Sequence, residues 1–112
     1  MVVLMARNDT QLIKGVLPIL LMSLINEKED YGYSVVERLQ AAGFPDLVEG
    51  TVYPALTRLE SQKFLDSRLV KSESGPARKY YSLNANGKKE YKTRTAAWKN
   101  LVANVMPLVG GK

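Results

Sequence analysis

The sequence of 112 residues contains no cysteine and no histidine. Without cysteine there is no disulfide and no thiolate metal site, so we expect a reducing, cytoplasmic location. Without histidine the chain lacks the commonest general base and metal ligand at neutral pH. It also lacks a phosphate-cradling glycine loop and a pair of carboxylates at a useful spacing. We therefore predict that the protein is not an enzyme, has no catalytic or metal-binding residues, and uses no cofactor.

Long apolar runs are absent as well. The longest, from Val16 to Met22, is far shorter than a membrane span. The apolar start from Met1 to Met5 lacks the basic residues, long apolar middle and small-residue cleavage site of a signal peptide. We therefore expect no membrane partner. The apolar content of 46% nevertheless suffices for a packed core, and the length favours one domain.

Acidic residues are scarce in the second part of the chain. Residues 1–66 carry six Lys and Arg against nine Asp and Glu, whereas residues 67–112 carry ten against two. The net charge of the two parts is therefore −3 and +8. This asymmetry favours a polyanion near the second part, although a solvated basic helix would give a similar pattern.

The segment from Thr10 to Ile25 has apolar residues on nearly all sides of a helix. Such a helix must be buried on more than one side. One small domain cannot cover both sides, so we infer that a second copy of the chain covers the rest. Pro18 removes one backbone donor, and we expect a bend or a weak first turn there.

A second helix is predicted to start near Gly32 and Ser34 and to end at Gly43. Its core side consists of Val35, Val36 and Leu39, and its water-facing side of Glu37, Arg38 and Gln40. We interpret the acidic residues that precede this helix, Glu27, Glu29 and Asp30, as a solvated cluster.

The third predicted helix starts between Glu49 and Thr51 and has two distinct faces. Val52, Leu56 and Leu59 form an apolar stripe that would pack on a core. The residues assigned to the other face have short side chains apart from one arginine. This face could enter the major groove of DNA, where an arginine can read guanine. An ordinary amphipathic helix with a solvated side has the same pattern. The outward residues are Thr51, Pro54, Ala55 and Arg58, with Tyr53 at the edge.

Two strands follow, over residues 64–70 and 77–83, joined by a polar loop over residues 71–76. Alternation directs Tyr81 and Leu83 inward and Arg78 and Tyr80 outward. Lys79 is expected near the tip, beyond the core. Arg78 and Lys79 would neutralise phosphates, while Tyr80 and Tyr33 would offer hydroxyls to phosphate oxygens.

A last helix is predicted to run to about Met106. Its apolar residues recur nearly every seven positions, which suits pairing with another long helix. These residues are Tyr91, Thr95, Trp98, Val102 and Val105. The order of elements predicts an α+β, mainly α fold, a winged helix-turn-helix with a long C-terminal dimerisation helix. We assign residues 1–9 to an N-terminal arm, 10–83 to the DNA-binding domain, and 84–112 to the dimerisation helix and tail.

The chain resembles the PadR-like transcriptional regulators. The resemblance rests on residues 12–17, 31–33, 50–60 and 75–83, which read LIKGVL, YGY, GTVYPALTRLE and GPARKYYSL. It implies a bacterial, cytoplasmic homodimer that binds a palindromic operator and usually represses, with the last helix paired to the partner's first helix. It also implies a DNA-binding face made of Tyr33, Thr51, Tyr53, Pro54, Arg58, Arg78, Lys79 and Tyr80.

Within that family, the chain is similar to the small branch with one C-terminal helix, whose multidrug-sensing members stack flat drugs on a tryptophan. Trp98 matches that position, and we predict a small aromatic effector there, contacted by Trp98, Leu17, Thr95 and Val102. Trp98 as a simple dimer-core residue is the alternative interpretation. The basic residues of the last helix, including Lys88, Lys92 and Lys99, would equally suit an anionic effector. The alternative function is a winged-helix module that binds small molecules or proteins without specific DNA binding.

Overall fold

The structure, a computed structural model, describes residues 9–110. In this range four helices and three strands form a mixed, mainly helical arrangement, which confirms the predicted fold class. The proposed N-terminal arm lies outside the described residues except for Asp9. The elements are α1 (Thr10–Glu27), β1 (Asp30–Tyr31), α2 (Gly32–Ala41), α3 (Glu49–Ser61), β2 (Leu65–Ser72), β3 (Gly75–Leu83) and α4 (Ala85–Val105).

The first helix begins at a side-chain cap and is apolar on two sides. The Asp9 carboxylate accepts hydrogen bonds from the backbone N–H groups of Gln11 and Leu12, which have no partner inside the helix. One side of α1 enters the core, with Leu21 and Met22 fully buried. Leu12 is 74% exposed on another side. One subunit therefore buries only part of the apolar surface of α1.

The core lies between α1, α2 and α3 and is closed by the base of the hairpin. The predicted apolar stripes of α2 and α3 are buried, as are Leu65, Tyr81 and Leu83 at the hairpin base. Burial of each large aliphatic side chain stabilises the fold by roughly 1.5–3 kcal/mol. The stripes consist of Val35, Val36 and Leu39 from α2, and of Val52, Leu56 and Leu59 from α3.

The three strands form an antiparallel sheet in the order β1-β3-β2. The strands of the hairpin are longer than predicted, because Ser72 pairs with Gly75 and only two residues remain in the turn. The prediction of a loop over residues 71–76 was therefore wrong. Pro76 is tolerated within β3 because β1 pairs only with Tyr80 and Tyr81, so the edge of β3 beside Pro76 needs no donor.

The short strand β1 also changes the interpretation of Asp30, which is only 4% exposed. Its carboxylate accepts hydrogen bonds from the Ser34 hydroxyl at 2.7 Å and from the Arg38 guanidinium at 3.0 Å. Arg38 also donates to the carbonyl of Leu24 and to Glu27. The predictions of a solvated Asp30 and a water-facing Arg38 were therefore wrong. A buried charge is costly without partners, and Ser34 and Arg38 provide them for Asp30.

The last helix is joined closely to the base of the hairpin. The Asn84 side chain accepts from the backbone N–H of Gly87 at 2.8 Å and donates to the carbonyl of Lys63 at 3.0 Å. Gly87 is buried, and a Cβ there would lie 2.1 Å from the carbonyl oxygen of Phe64. Farther along, α4 packs beside α1 and leaves much of its surface exposed. Within residues 9–110 no helix is long and apolar enough to cross a membrane.

Candidate nucleic-acid interface

The exposed side of α3 differs in part from the predicted one. Tyr53, Pro54, Thr57 and Arg58 are exposed, whereas Ala55 is only 6% exposed and belongs to the core. The outward placement of Ala55 was wrong. Thr57, which we did not predict, lies on the outer face instead, and its position four residues after Tyr53 was the available signal.

Thr51 is placed at the margin of this face. The residue before α3 is Val48, and Thr51 donates its backbone N–H to the Val48 carbonyl at 3.0 Å instead of capping the helix with its side chain. Thr51 is half-buried and borders a small pocket together with Leu17 and Leu47. The structure therefore places this residue beside the core and not in the groove that faces the hairpin.

A groove of about 470 Å³ runs between α2, α3 and the hairpin. We call it the tyrosine groove, because most of its aromatic lining is tyrosine. It brings together four predicted DNA-binding residues from three separate elements. Its lining consists of Tyr31, Gly32, Tyr33, Tyr53, Thr57, Arg78, Lys79 and Tyr81.

The start of α2 closely approaches α3 in this groove. A Cβ at Gly32 would lie 2.8 Å from Cε1 of Tyr53, so a larger residue at position 32 would displace the ring. Partial burial, with a smaller contribution from the Glu49 carboxylate, raises the pKa of the Tyr53 hydroxyl. Tyr53 therefore stays protonated at neutral pH and can donate a hydrogen bond to an anion.

Arg78 presents its charge from the hairpin without a carboxylate partner. Its guanidinium carbon lies 4.5 Å from the centre of the Tyr31 ring, a cation–π contact that leaves the N–H donors available. Tyr80 is half-buried and stacks against Tyr31, with 5.2 Å between ring centres. Among residues 9–110, neither Arg58 nor Arg78 forms an ion pair. Both guanidinium groups are free to meet a polyanion.

Lys79 is held in a different way. Its ammonium donates to the Glu60 carboxylate of α3 at 2.7 Å, and the Ser67 hydroxyl of β2 donates to the same carboxylate. The hydrogen bond from Lys79, followed by that from Ser67, lowers the pKa of Glu60. Lys79 is exposed beyond the core, as predicted, but it lies in the middle of β3 opposite Leu69 and not near the tip of the hairpin.

A second, apolar groove of about 530 Å³ lies between α1 and α4. Its lining includes Leu12, Val16, Trp98 and Leu101, of which Trp98 is 43% exposed. The other predicted effector contacts are placed differently. Thr95 and Val102 are half-buried on α4, and the Thr95 hydroxyl has no hydrogen-bond partner among the described residues. Leu17 lies in the core of its own subunit and not beside Trp98, which corrects its predicted position.

The arrangement of α2, α3 and the hairpin defines a winged helix-turn-helix protein, in which a helix seated on a small core is flanked by a basic β-hairpin, the wing. Residues 20–93 match the family model described as the transcriptional regulator PadR-like family. The chain belongs to this family of DNA-binding transcriptional regulators, as its resemblance predicted, and is a regulator rather than an enzyme.

Solved structures of bacterial regulators are similar along nearly the whole chain. A PadR-like regulator from Bacillus cereus is 32% identical, with a TM-score of 0.81, over 92% of this chain and 100% of the other. A PadR family regulator from Eggerthella lenta is also 32% identical, with a TM-score of 0.82, over 91% and 88% of the two chains. A Streptococcus transcriptional regulator is 38% identical, with a TM-score of 0.79, over 89% and 98%.

Proposed function

We propose that this regulator is a homodimeric repressor that inserts α3 into the major groove of a palindromic operator and lays the wing over the adjacent phosphates. The observation that carries the proposal is the tyrosine groove between α3 and the wing, which Arg78 lines from the wing, together with an exposed Arg58 on α3. Neither arginine forms an ion pair within residues 9–110. Residues 10–83 would bind DNA and residues 84–112 would hold the dimer together.

The two arginines would have different tasks. Arg58 lies on the exposed face of α3, where the fork of a guanidinium can donate to O6 and N7 of guanine. Arg78 lies on the wing and would neutralise a phosphate, which supplies affinity without reading sequence. The hydroxyls of Tyr33 and Tyr53, both exposed at the tyrosine groove, would bind phosphate oxygens nearby.

A dimer is needed to place two α3 helices about 34 Å apart, one turn of B-DNA. Support for it comes from apolar side chains that one subunit leaves exposed, at Leu12 on α1 and at Trp98 and Leu101 on α4. Covering them with a second copy would remove this surface from water.

We further propose that a small aromatic effector binds in the apolar groove beside Trp98. Its walls are almost entirely apolar, and its volume of about 530 Å³ falls within the range of small-molecule sites. A ligand wedged between the paired helices would change the distance between the two α3 helices. To release the protein from DNA, the ligand would need to bind the DNA-free conformation more tightly than the DNA-bound conformation by a few kcal/mol.

Replacing each arginine separately tests the DNA-binding proposal. Arg58→Ala should relax base preference at one position of the site by about 1–3 kcal/mol, because one bidentate contact is lost. Arg78→Ala should weaken binding to all sequences and reduce the salt slope by about 1, because one phosphate contact is lost. The measurement is the dissociation constant on duplexes selected from a random pool by the parent protein, at several salt concentrations.

Lys99→Ala is the matched control, since it removes one exposed cation from α4, far along the chain from the wing. It should bind DNA as the parent does. If both arginine variants bound every duplex as the parent does at low salt, the proposal would be wrong. A parent protein without any salt-dependent DNA binding would favour the alternative, a module that binds small molecules or proteins.

A further inference from the structure

The carboxylate of Glu60 connects the last turn of α3 to both strands of the wing. Lys79 of β3 donates to one of its oxygens at 2.7 Å, and Ser67 of β2 donates to the other. The Glu60 side chain is 29% exposed and therefore partly shielded from water and salt. The carboxylate is thus held in a fixed place between the two strands, with Lys79 beside it.

Arg78 and Lys79, the two neighbouring cations of the wing, consequently differ in whether a carboxylate compensates their charge. Both line the tyrosine groove and so border the proposed path of the DNA backbone. Arg78 has only the ring of Tyr31 as a partner among the contacts of the described residues, whereas the charge of Lys79 is compensated by Glu60. A cation that keeps its carboxylate cannot also neutralise a phosphate.

We infer that Glu60 is a positioning residue that withholds Lys79 from the DNA backbone and thereby limits the sequence-independent part of DNA binding. The inference rests on the proposed function, because it assigns a task within the same interface. Each phosphate that a protein neutralises releases condensed counterions, so a withheld cation lowers both the affinity and its salt dependence. Since phosphate contacts carry no sequence information, Glu60 leaves a larger share of the binding to Arg58.

The direction of the pKa shifts agrees with a maintained pair. The Glu60 hydrogen bond raises the pKa of Lys79, and the Lys79 hydrogen bond lowers that of Glu60, so both remain charged at neutral pH. The second hydrogen bond, from Ser67, fixes the other oxygen of the carboxylate.

Glu60→Gln tests the inference, because it removes the charge and keeps an oxygen that can accept from Ser67. On a duplex of random sequence, we expect several-fold tighter binding at low salt. The slope of log affinity against log salt should become steeper by about 0.9, the value for one additional phosphate. The double variant Glu60→Gln, Lys79→Gln should return to the slope of the parent, because the released cation is then absent.

Three further variants complete the comparison. Glu90→Gln makes the same charge change on α4, where Glu90 pairs with Arg94 at 2.6 Å, and should leave the slope unchanged. Glu60→Ala also removes the charge beside Lys79 and should steepen the slope by about 0.9, whereas Arg78→Gln should reduce it by about 0.9. This comparison keeps the inference testable if Glu60→Gln does not fold.

The outcomes separate this inference from the proposed function. A salt-dependent parent with an unchanged or shallower slope in Glu60→Gln or in Glu60→Ala would overturn the inference alone. A parent whose binding does not depend on salt would overturn the proposed function and the inference together.

Discussion

At the scale of single residues, Asp30 shows how one buried carboxylate orders the entrance to the tyrosine groove. It lies immediately before Tyr31 and Gly32, which line the groove, and it accepts hydrogen bonds from Ser34 and Arg38 of α2. Because Arg38 also donates to the Leu24 carbonyl, its guanidinium joins the end of α1 and the last turn of α2 to this carboxylate.

We predict that Asp30→Ala lowers the free energy of unfolding by about 1–3 kcal/mol, since it leaves the Ser34 hydroxyl and one Arg38 donor without their buried acceptor. Chemical denaturation measures the loss. Glu37→Ala is the control, because Glu37 is exposed on the same helix and its removal should change stability by less than about 0.5 kcal/mol. Equal stabilities of the two variants would show that the Asp30 network contributes nothing.

At the scale of elements, hydrogen bonds and close packing join the first turn of α4 to the base of the wing. Asn84 caps α4 and donates to the Lys63 carbonyl and the Asp66 carboxylate. Gly87 allows the first turn of α4 to approach the backbone at Phe64. We therefore expect a change in the tilt of α4 to displace the base of the wing as well.

We predict opposite effects of the same substitution at two helical glycines. Gly87→Ala should lower the free energy of unfolding by about 1–3 kcal/mol, because its Cβ would overlap the carbonyl oxygen of Phe64. Gly50→Ala meets open space and should raise it by up to about 1 kcal/mol, since alanine loses less conformational entropy in a helix. Thermal unfolding of both variants provides the comparison. Equal shifts would show that the close approach at Gly87 is not required.

At the scale of the whole molecule, the exposed apolar surface is concentrated on α1 and α4. Leu12, Trp98, Leu101, Val105 and Met106 are each at least 39% exposed in the single subunit. Such a surface indicates an interface with another protein chain. Together with the need for two α3 helices on one operator, it supports a second copy of this chain as the partner.

We predict that Leu101→Glu weakens or abolishes the dimer, because it would bury a carboxylate in the interface. Light scattering measures the mass, and the emission of Trp98, the only tryptophan, should shift to longer wavelength as its ring becomes exposed. A flat aromatic compound that quenches this emission in the dimeric parent should lose its effect in the variant.

Leu69→Glu is the control, since Leu69 is 73% exposed on the wing and should tolerate the charge without loss of the dimer. A monomeric parent would contradict the dimer proposal. Unchanged emission of the parent across a varied panel of aromatic compounds would contradict the effector site.

The helices and the hairpin were predictable because their signals are local. The apolar stripe of α3, the glycine that ends α2 and the alternation at Tyr81 and Leu83 each follow from the period of one element. The family motifs likewise identified the exposed Tyr53, Arg58 and Arg78. Thr57 was missed although its helical position was available, because the outward face of α3 was assigned to include Ala55 and not Thr57.

The amino-acid sequence by itself thus determined the order of the four helices and the hairpin, the family and the residue types of the candidate interface, because these depend on periodicity and short motifs, whereas it did not predict β1. Only the tertiary structure decided that Asp30 is buried, that Leu17 lies in the core and that Lys79 pairs with Glu60. Each of these depends on contacts between residues that are distant in sequence or on how elements pack. A lysine or an arginine looks the same in the sequence whether or not a carboxylate lies beside it in the folded chain. Only the three-dimensional structure therefore shows which of these cations form an ion pair.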